Sequence, residues 1–301
     1  MRGGSMNSPV NIELHSIPTI TTIHQALRDH GSLVVPTQHF DVATFGKLLT
    51  QLCQTLTFDP ARSYAAKGVQ TVDAGTAAVG LHIENGNTPL PPDVVAFYSK
   101  RASPGANTTL CDGAQLLEAL PGSIKKLFQE AYTMTRFLPK TVWQRYVASA
   151  LNIDEPESVT RAHLDHFMTL RPGQRYDRAA DDGIDYCLTI TAIRTDNYSG
   201  KAAFANALLG PSYNYLAPIY RFGNGDLIDD ALLLELAAVA ERYTGEIPWQ
   251  DGDLAIIDNK RVMHGRREIT GPLSERELYI AMGLNGERRL PQHPSQKDSA
   301  C

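Results

Sequence analysis

At 301 residues the chain is long enough for one large domain with a substantial core, and 43% hydrophobic with 20% charged residues is an ordinary globular composition. A net charge of -5 without a clustered Lys/Arg stretch excludes nucleic acid and anionic membrane as natural partners and leaves a small molecule. No apolar run approaches the ~20 residues that span a bilayer, no signal-peptide core opens the chain, and the four scattered cysteines, Cys53, Cys111, Cys187 and Cys301, read as thiols of a cytoplasmic protein.

Met1-Arg2-Gly3-Gly4-Ser5-Met6 reads as an added leader ahead of a second start methionine, which leaves residues 7–301 as a single domain. Residues 32 to 36 read as a short strand. A helix is expected from Asp41, because Val42, Phe45, Leu48, Leu49 and Leu52 recur at helical spacing behind an aspartate cap. From Ala77 to Cys111, short apolar runs such as Val94 to Tyr98 are broken by Pro and Gly, which is strand-and-turn texture. Ser123 to Ala131 predicts a helix.

Between about 150 and 225, polar Gly/Pro-broken segments surround one β-like run, Asp185 to Ile193, so this stretch reads as an insertion or lid. Its candidates for facing a substrate are Arg171, Arg175, Tyr176, Tyr213, Asn214 and Tyr215. A further helix is predicted from Asp229 to Tyr243, with Leu232, Leu233, Leu236, Val239 and Ala240 on one face and Gly245 as its stop. Asp253 to Ile257 and Leu278 to Met282 are strand patterns. Strands on both sides of the motif-bearing region, with helices outside it, predict a mainly β fold with flanking helices around a sandwich or jelly roll.

In Leu81-His82-Ile83-Glu84 a histidine and a carboxylate stand two apart, so on a strand both project from one face and can grip one ion. Far downstream, Asp258-Asn-Lys-Arg-Val-Met-His264 follows a strand and delivers a second imidazole. Two histidines and one carboxylate occupy one face of an octahedral ion and leave three positions open, which suits non-haem iron(II) oxygenases. A competing pair, His163 and Asp165, would complete the same set with His264, although Thr160 to Thr169 reads equally well as helix. No Gly-rich threonine turn follows that second pair at the distance seen after His82.

With the Gly105-Ala-Asn-Thr108-Thr109 turn, the Asp258-Asn-Lys-Arg261-Val-Met-His264-Gly-Arg266 stretch, and Arg276 twelve residues past His264, the sequence resembles the clavaminate synthase-like and taurine dioxygenase-like (TauD/TfdA-like) family of Fe(II)/2-oxoglutarate-dependent oxygenases, over roughly residues 80 to 285. The resemblance implies a double-stranded β-helix (jelly roll) core in a single oxygenase domain. It implies that His82, Glu84 and His264 bind iron and form the catalytic centre, and that Arg276 pairs with the distal carboxylate of 2-oxoglutarate. Thr108 would donate to that carboxylate, with Thr109 as its alternative because Ala106 stands where the family has a second turn glycine. Asp258 and Asn259 are expected to organise the turn before His264, Arg261 and Arg266 to act structurally or behind the ligands, and Asn85 to orient Glu84 or meet substrate.

The cofactors so implied are Fe(II), 2-oxoglutarate as co-substrate and dioxygen, with succinate and CO2 released. The histidine-x-glutamate spelling suggests an amino acid or amino-acid-derived intermediate of specialised metabolism as substrate, free or as a carrier-tethered aminoacyl group. Hydroxylation is the expected outcome; desaturation and cyclisation start from the same oxidant, and a retained Glu84 argues against halogenation. A zinc-dependent hydrolase with the same three ligands and a non-catalytic jelly-roll binding module are the readings from other classes.

Overall fold

Several strands carry uninterrupted buried apolar runs, at 33–35, 94–98 and 254–257, which a sheet with one wet face would not tolerate; the architecture shows both faces covered. The computed structural model describes residues 18–37, 40–73, 75–151, 153–169, 172–211, 216–271 and 276–285. A large antiparallel sheet runs in the order Ser32–Pro36, Asp253–Asp258, Val94–Arg101, Glu277–Leu284, Val69–Thr71, Tyr64–Ala66, with Thr55–Thr57 also paired to Glu277–Leu284. Its side chains part with a period of two. Leu33, Val35, Val94, Ala96, Leu254 and Ile256 meet Ile23, Leu27, Phe45 and Leu49 of two helices. Val34, Val95, Phe97, Ala255, Ile257 and Ile280 point the other way, toward Leu110, Ile247 and Val262 of a second sheet.

The two helices obey their local signals. Ile20–His30 starts at Thr19, whose hydroxyl accepts from the Thr22 amide, and stops at Gly31 with φ 74°. Val42–Leu52 starts at Asp41, whose Oδ1 accepts from the Thr44 amide at 2.6 Å.

The second sheet is antiparallel, in the order Thr244–Ile247, Thr108–Asp112, Val262–Arg266, Val79–His82. Its inner positions, Leu110 and Val262, join the inter-sheet core, while Cys111 and Met263 face outward into a third cluster. That cluster includes the helices Gly113–Ala119, Lys140–Leu151, Arg161–Thr169 and Asp230–Glu241, and an outer sheet in the order Ile219–Phe222, Tyr132–Leu138, Ile184–Ile190, Gln174–Arg178. Two facing antiparallel sheets with helices outside them make a jelly roll, the expected fold class.

Several elements differ from their sequence pattern. The helix expected over 123–131 is Gly122–Leu127, because Phe128 turns into the core against Phe204 and Tyr132, where the next strand begins. The run Asp185 to Ile193 divides into Ile184–Ile190 and Ile193–Thr195, the second pairing with Ala202–Phe204. Gly245 is not a helix stop but lies in a strand opposite Leu110; the helix ends at Glu241, and the Thr244 hydroxyl donates to the Ala240 carbonyl at 2.9 Å. The 150–225 stretch is tied to earlier chain, since its strands share a sheet with Tyr132–Leu138. Cys53 and Cys111 are buried free thiols, whereas Cys187 is disulfide-bonded. Among the described residues no helix is long and apolar enough to cross a membrane. The leader 1–6, Arg171, Tyr213, Asn214, Tyr215 and Cys301 lie outside the described residues.

Candidate metal centre

Val79–His82 is the edge strand of the small sheet, and its last residue sits directly across from His264 on Val262–Arg266. This cross-strand pairing brings two imidazoles from opposite ends of the sequence to a ring-centroid separation of 4.5 Å. Glu84, two residues on and past the end of the strand, reaches back so that its Oε2 lies 3.4 Å from His264 Nε2. One ligand atom from each of His82, Glu84 and His264 falls within 4.8 Å of the others. Glu84 and His264 are buried, and His82 is half-buried.

The surroundings hold these donors in place. His82 Nδ1 is 2.9 Å from the Gly80 carbonyl; with the N–H donated there, Nε2 carries the lone pair. An added Cβ at Gly80 would stand 1.9 Å from the Leu209 carbonyl oxygen, and one at Gly210 2.2 Å from the Gly80 oxygen, so two backbones touch beneath His82. Glu84 Oε1 accepts from Arg62 Nη2 at 3.1 Å, which leaves Oε2 for the other side. Its backbone has left the ladder and is held by a side chain: the Glu84 amide donates to Asn259 Oδ1 at 2.8 Å, and Asn259 Nδ2 donates to the carbonyls of Glu84 at 3.1 Å and Pro92 at 2.9 Å. Asn85 takes a left-handed φ of 53° and lines the adjoining cavity. Phe97 packs edge-on against His264.

The electrostatics suit a cation. Burial, reinforced by the neighbouring His264, pushes His82 down to about 4, so its imidazole is neutral at neutral pH. Burial alone would raise Glu84, but Arg62 and His264 outweigh it and hold the carboxyl well below the usual range. Buried His264 Nδ1 has no hydrogen-bond partner among the described residues. A neutral imidazole, an ionised carboxylate and a second imidazole with converging free atoms fit a divalent ion, and no other such group of three occurs among the described residues.

Thr108 and Thr109 are distinguished by the sheet. Thr108 shares the inward face with Leu110, lies opposite Arg266 and accepts from Trp249 Nε1 at 2.9 Å. Thr109 faces outward, beside Gly265. Arg276 is half-buried, and burial together with the charge of Arg266 pushes its guanidinium down to about 10. Its neighbour Glu277 is taken by Lys100 at 2.7 Å, and no carboxylate pairs with Arg276 among the described residues. Arg261 is structural: it forms an ion pair with Asp112 at 2.7 Å and donates to the Arg28 carbonyl.

His163 and Asp165 stand on the helix Arg161–Thr169, where a spacing of two turns side chains roughly 200° apart. His163 Nδ1 accepts from the Thr160 amide and Asp165 from the Tyr176 hydroxyl, so they do not converge on one ion. Their helix still bears on the site. Beside the three donors opens a cavity of about 510 Å³, into which Leu164, Phe167 and Met168 project at helical spacing. Trp143, Tyr146 and Val147 do the same from Lys140–Leu151, and Met134, Arg136 and Leu138 line it with the period of a strand. Arg175 and Tyr176 do not line it. Sequence reasoning missed Arg62, which carries no motif and reaches Glu84 only because the large sheet delivers it, and Arg136, which alternates with Met134 and Leu138 on a strand to which the sequence reading assigned no element.

A two-sheet jelly roll with two histidines and one carboxylate at the end of its small sheet defines a metal-dependent oxygenase architecture. The chain belongs to the family described as taurine catabolism dioxygenase TauD, TfdA family, which it matches over residues 7–282. It is thereby an oxidoreductase of the Fe(II)/2-oxoglutarate-dependent dioxygenase class, whose members use Fe(II), 2-oxoglutarate and dioxygen. The fold is similar to a taurine dioxygenase from Burkholderia xenovorans, with TM-score 0.60, 14% identity, and 93% of this chain and 88% of that one covered. It is also similar to AAD-2 in complex with Mn(II) and N-oxalylglycine, with TM-score 0.55, 14% identity, and 95% and 92% covered. The PvcB protein from Pseudomonas aeruginosa matches with TM-score 0.56, 13% identity, and 92% and 87% covered. No curated protein matches the sequence significantly.

Proposed function

We propose that His82, Glu84 and His264 hold the Fe(II) of this dioxygenase, that Thr108 and Arg276 receive the distal carboxylate of 2-oxoglutarate, and that the substrate is an amino acid or amino-acid-derived intermediate of specialised metabolism. The observation that carries the ligand assignment is the direct opposition of His82 and His264 across two strands, with the ionised Glu84 carboxylate turned into the gap between them. When bound, iron and the keto acid supply the oxidant: one oxygen atom of dioxygen enters succinate as CO2 leaves, and the other is inserted into a substrate C–H bond to give an alcohol.

The residues do the rest. Arg62 and Asn259 fix Glu84 from its carboxylate and its backbone. Arg276, a guanidinium beside a second arginine and without a carboxylate partner among the described residues, offers a planar fork to an anion, and Thr108 points its hydroxyl from the same inner face as Arg266. Leu164, Phe167 and Met168 shield the cavity from water, which supports reading the 150–225 stretch as a lid on a single domain of residues 7–301. The histidine-x-glutamate spelling supports the amino-acid class, with a carrier-tethered form and a cytoplasmic setting as part of the same reading.

The test is succinate formation from 2-oxoglutarate with Fe(II), with Zn(II), and in Arg276→Gln. Iron-dependent succinate and an at least tenfold higher 2-oxoglutarate requirement in the variant are expected, since a charged hydrogen-bond pair is worth about 1.5–3 kcal/mol. Activity with zinc and no succinate would contradict the reading.

A further inference from the structure

Glu84 is gripped at one of its two carboxylate oxygens by a residue that has a support of its own. Arg62 Nη2 donates to Oε1 at 3.1 Å, while Oε2 is turned toward His264 Nε2. The Glu84 side chain is 5% exposed, so this charged hydrogen bond is shielded from water. Arg62 Nε stands 3.6 Å from Asp59 Oδ2, and Asp59 is itself tied to the Ala61 amide. The turn that carries Arg62 is seated by a single buried amide side chain. Gln70, 1% exposed, accepts from the Asp59 amide at 3.0 Å through Oε1, and its Nε2 donates to the carbonyls of Asp59 at 2.8 Å and Arg62 at 3.3 Å. Gln70 lies on Val69–Thr71 and pairs with Ile280 in the large sheet, so a chain of contacts runs from that sheet through Gln70 and Arg62 to Glu84 Oε1.

Resting on the oxygenase reading above, we propose that Arg62 is a positioning residue that restricts Glu84 to a single donor oxygen, with Gln70 as its anchor, and so keeps a coordination position open for the keto acid. A carboxylate can bind a metal through one oxygen or through both. One oxygen and two imidazoles leave three places of an octahedral ion, two for the keto acid and one for dioxygen. Both oxygens would leave only two places, and the keto acid and dioxygen would then compete for them. Arg62 decides between these arrangements. To turn Oε1 onto the ion, Glu84 must give up a buried, charge-assisted hydrogen bond, which is worth about tenfold or more in an equilibrium constant. Asp59 and Gln70 hold the guanidinium and its backbone where that bond is made.

Two affinities separate this role from a merely structural one. Apoprotein is titrated anaerobically with Fe(II) in competition with a chromophoric chelator, and the iron-saturated protein is then titrated with 2-oxoglutarate by its visible charge-transfer band. Arg62→Met keeps an unbranched side chain and removes every donor. It should bind Fe(II) as tightly as wild type or more tightly, yet require about tenfold or more additional 2-oxoglutarate for half-saturation. Arg62→Lys returns a cation to Oε1 and should bring that requirement back to within about threefold of wild type. Gln70→Leu, which unseats the turn without touching Glu84, should show the same split in smaller measure, and it carries the test if Arg62→Met fails to fold by its thermal midpoint. Iron and keto-acid affinities that fall together in Arg62→Met, or a 2-oxoglutarate requirement within about twofold of wild type, would overturn the proposal. In either event a band from wild type leaves the oxygenase reading standing. Absence of the band from wild type at every 2-oxoglutarate concentration would remove both.

Discussion

Asn259 shows how much of this site depends on a residue that touches no reactant. Glu84 sits where the chain has left the ladder, so its amide and carbonyl would face a dry interior unsatisfied; one fully buried amide side chain serves both and ties them to Pro92. The same residue opens the turn that leads to His264, so two of the three donors are referred to one point. Replacing Asn259 with alanine should weaken Fe(II) binding about tenfold to a hundredfold, as loss of outer-shell partners does. A useful control is Asp41→Ala, which removes a distant helix cap at a cost of about 1 kcal/mol and should leave iron affinity alone. If both variants lose thermal stability and neither loses iron affinity, Asn259 is structural only.

Among the elements, Val79–His82 is the most exposed to disturbance because it is an edge strand pressed against the segment at Leu209 and Gly210. Any side chain at 80 must separate the two backbones, and the Gly80 carbonyl that orients His82 moves with them. Gly80→Ala should therefore lower stability by about 1–3 kcal/mol and weaken iron binding together, seen as a reduced thermal midpoint and a right-shifted Fe(II) titration; a variant unchanged in both would show that the contact is not needed. Elements governed by local rules could be read from sequence. Asp41 announced its helix through capping, the helix Asp230–Glu241 announced itself through an apolar face at helical spacing, and Val94 to Tyr98 announced a strand as a short apolar run bounded by Pro and Gly. Elements governed by distant partners could not. Nothing near Phe128 says that its pocket lies at Phe204, and nothing near Gly245 says that Leu110 awaits it across a ladder. The histidine-x-carboxylate pairs divide in the same way: identical spacing places His82 and Glu84 at one centre, yet splays His163 and Asp165 around a helix. Which of Thr108 and Thr109 shares the inward face likewise needed Leu110 and its partners across the sheets.

At the scale of the molecule, three cores stack in sequence: helices on the large sheet, large sheet on small sheet, and small sheet under the unit built from about 113 to 240. His82, Glu84 and His264 lie at the edge of the small sheet, where that outer unit closes the cavity, so in the proposed assignment the sandwich sets the metal geometry and the outer unit sets what enters. This division places the family's motif residues in the sandwich and leaves the cavity's apolar lining, contributed by Leu138, Trp143 and the Arg161–Thr169 helix, to chain that carries no motif. The most direct test of the assignment is anaerobic addition of Fe(II) and 2-oxoglutarate while following the weak visible charge-transfer band. Wild type and His163→Ala should develop the band and His82→Ala should not; a band that survives loss of His82 and vanishes with His163 would contradict the account.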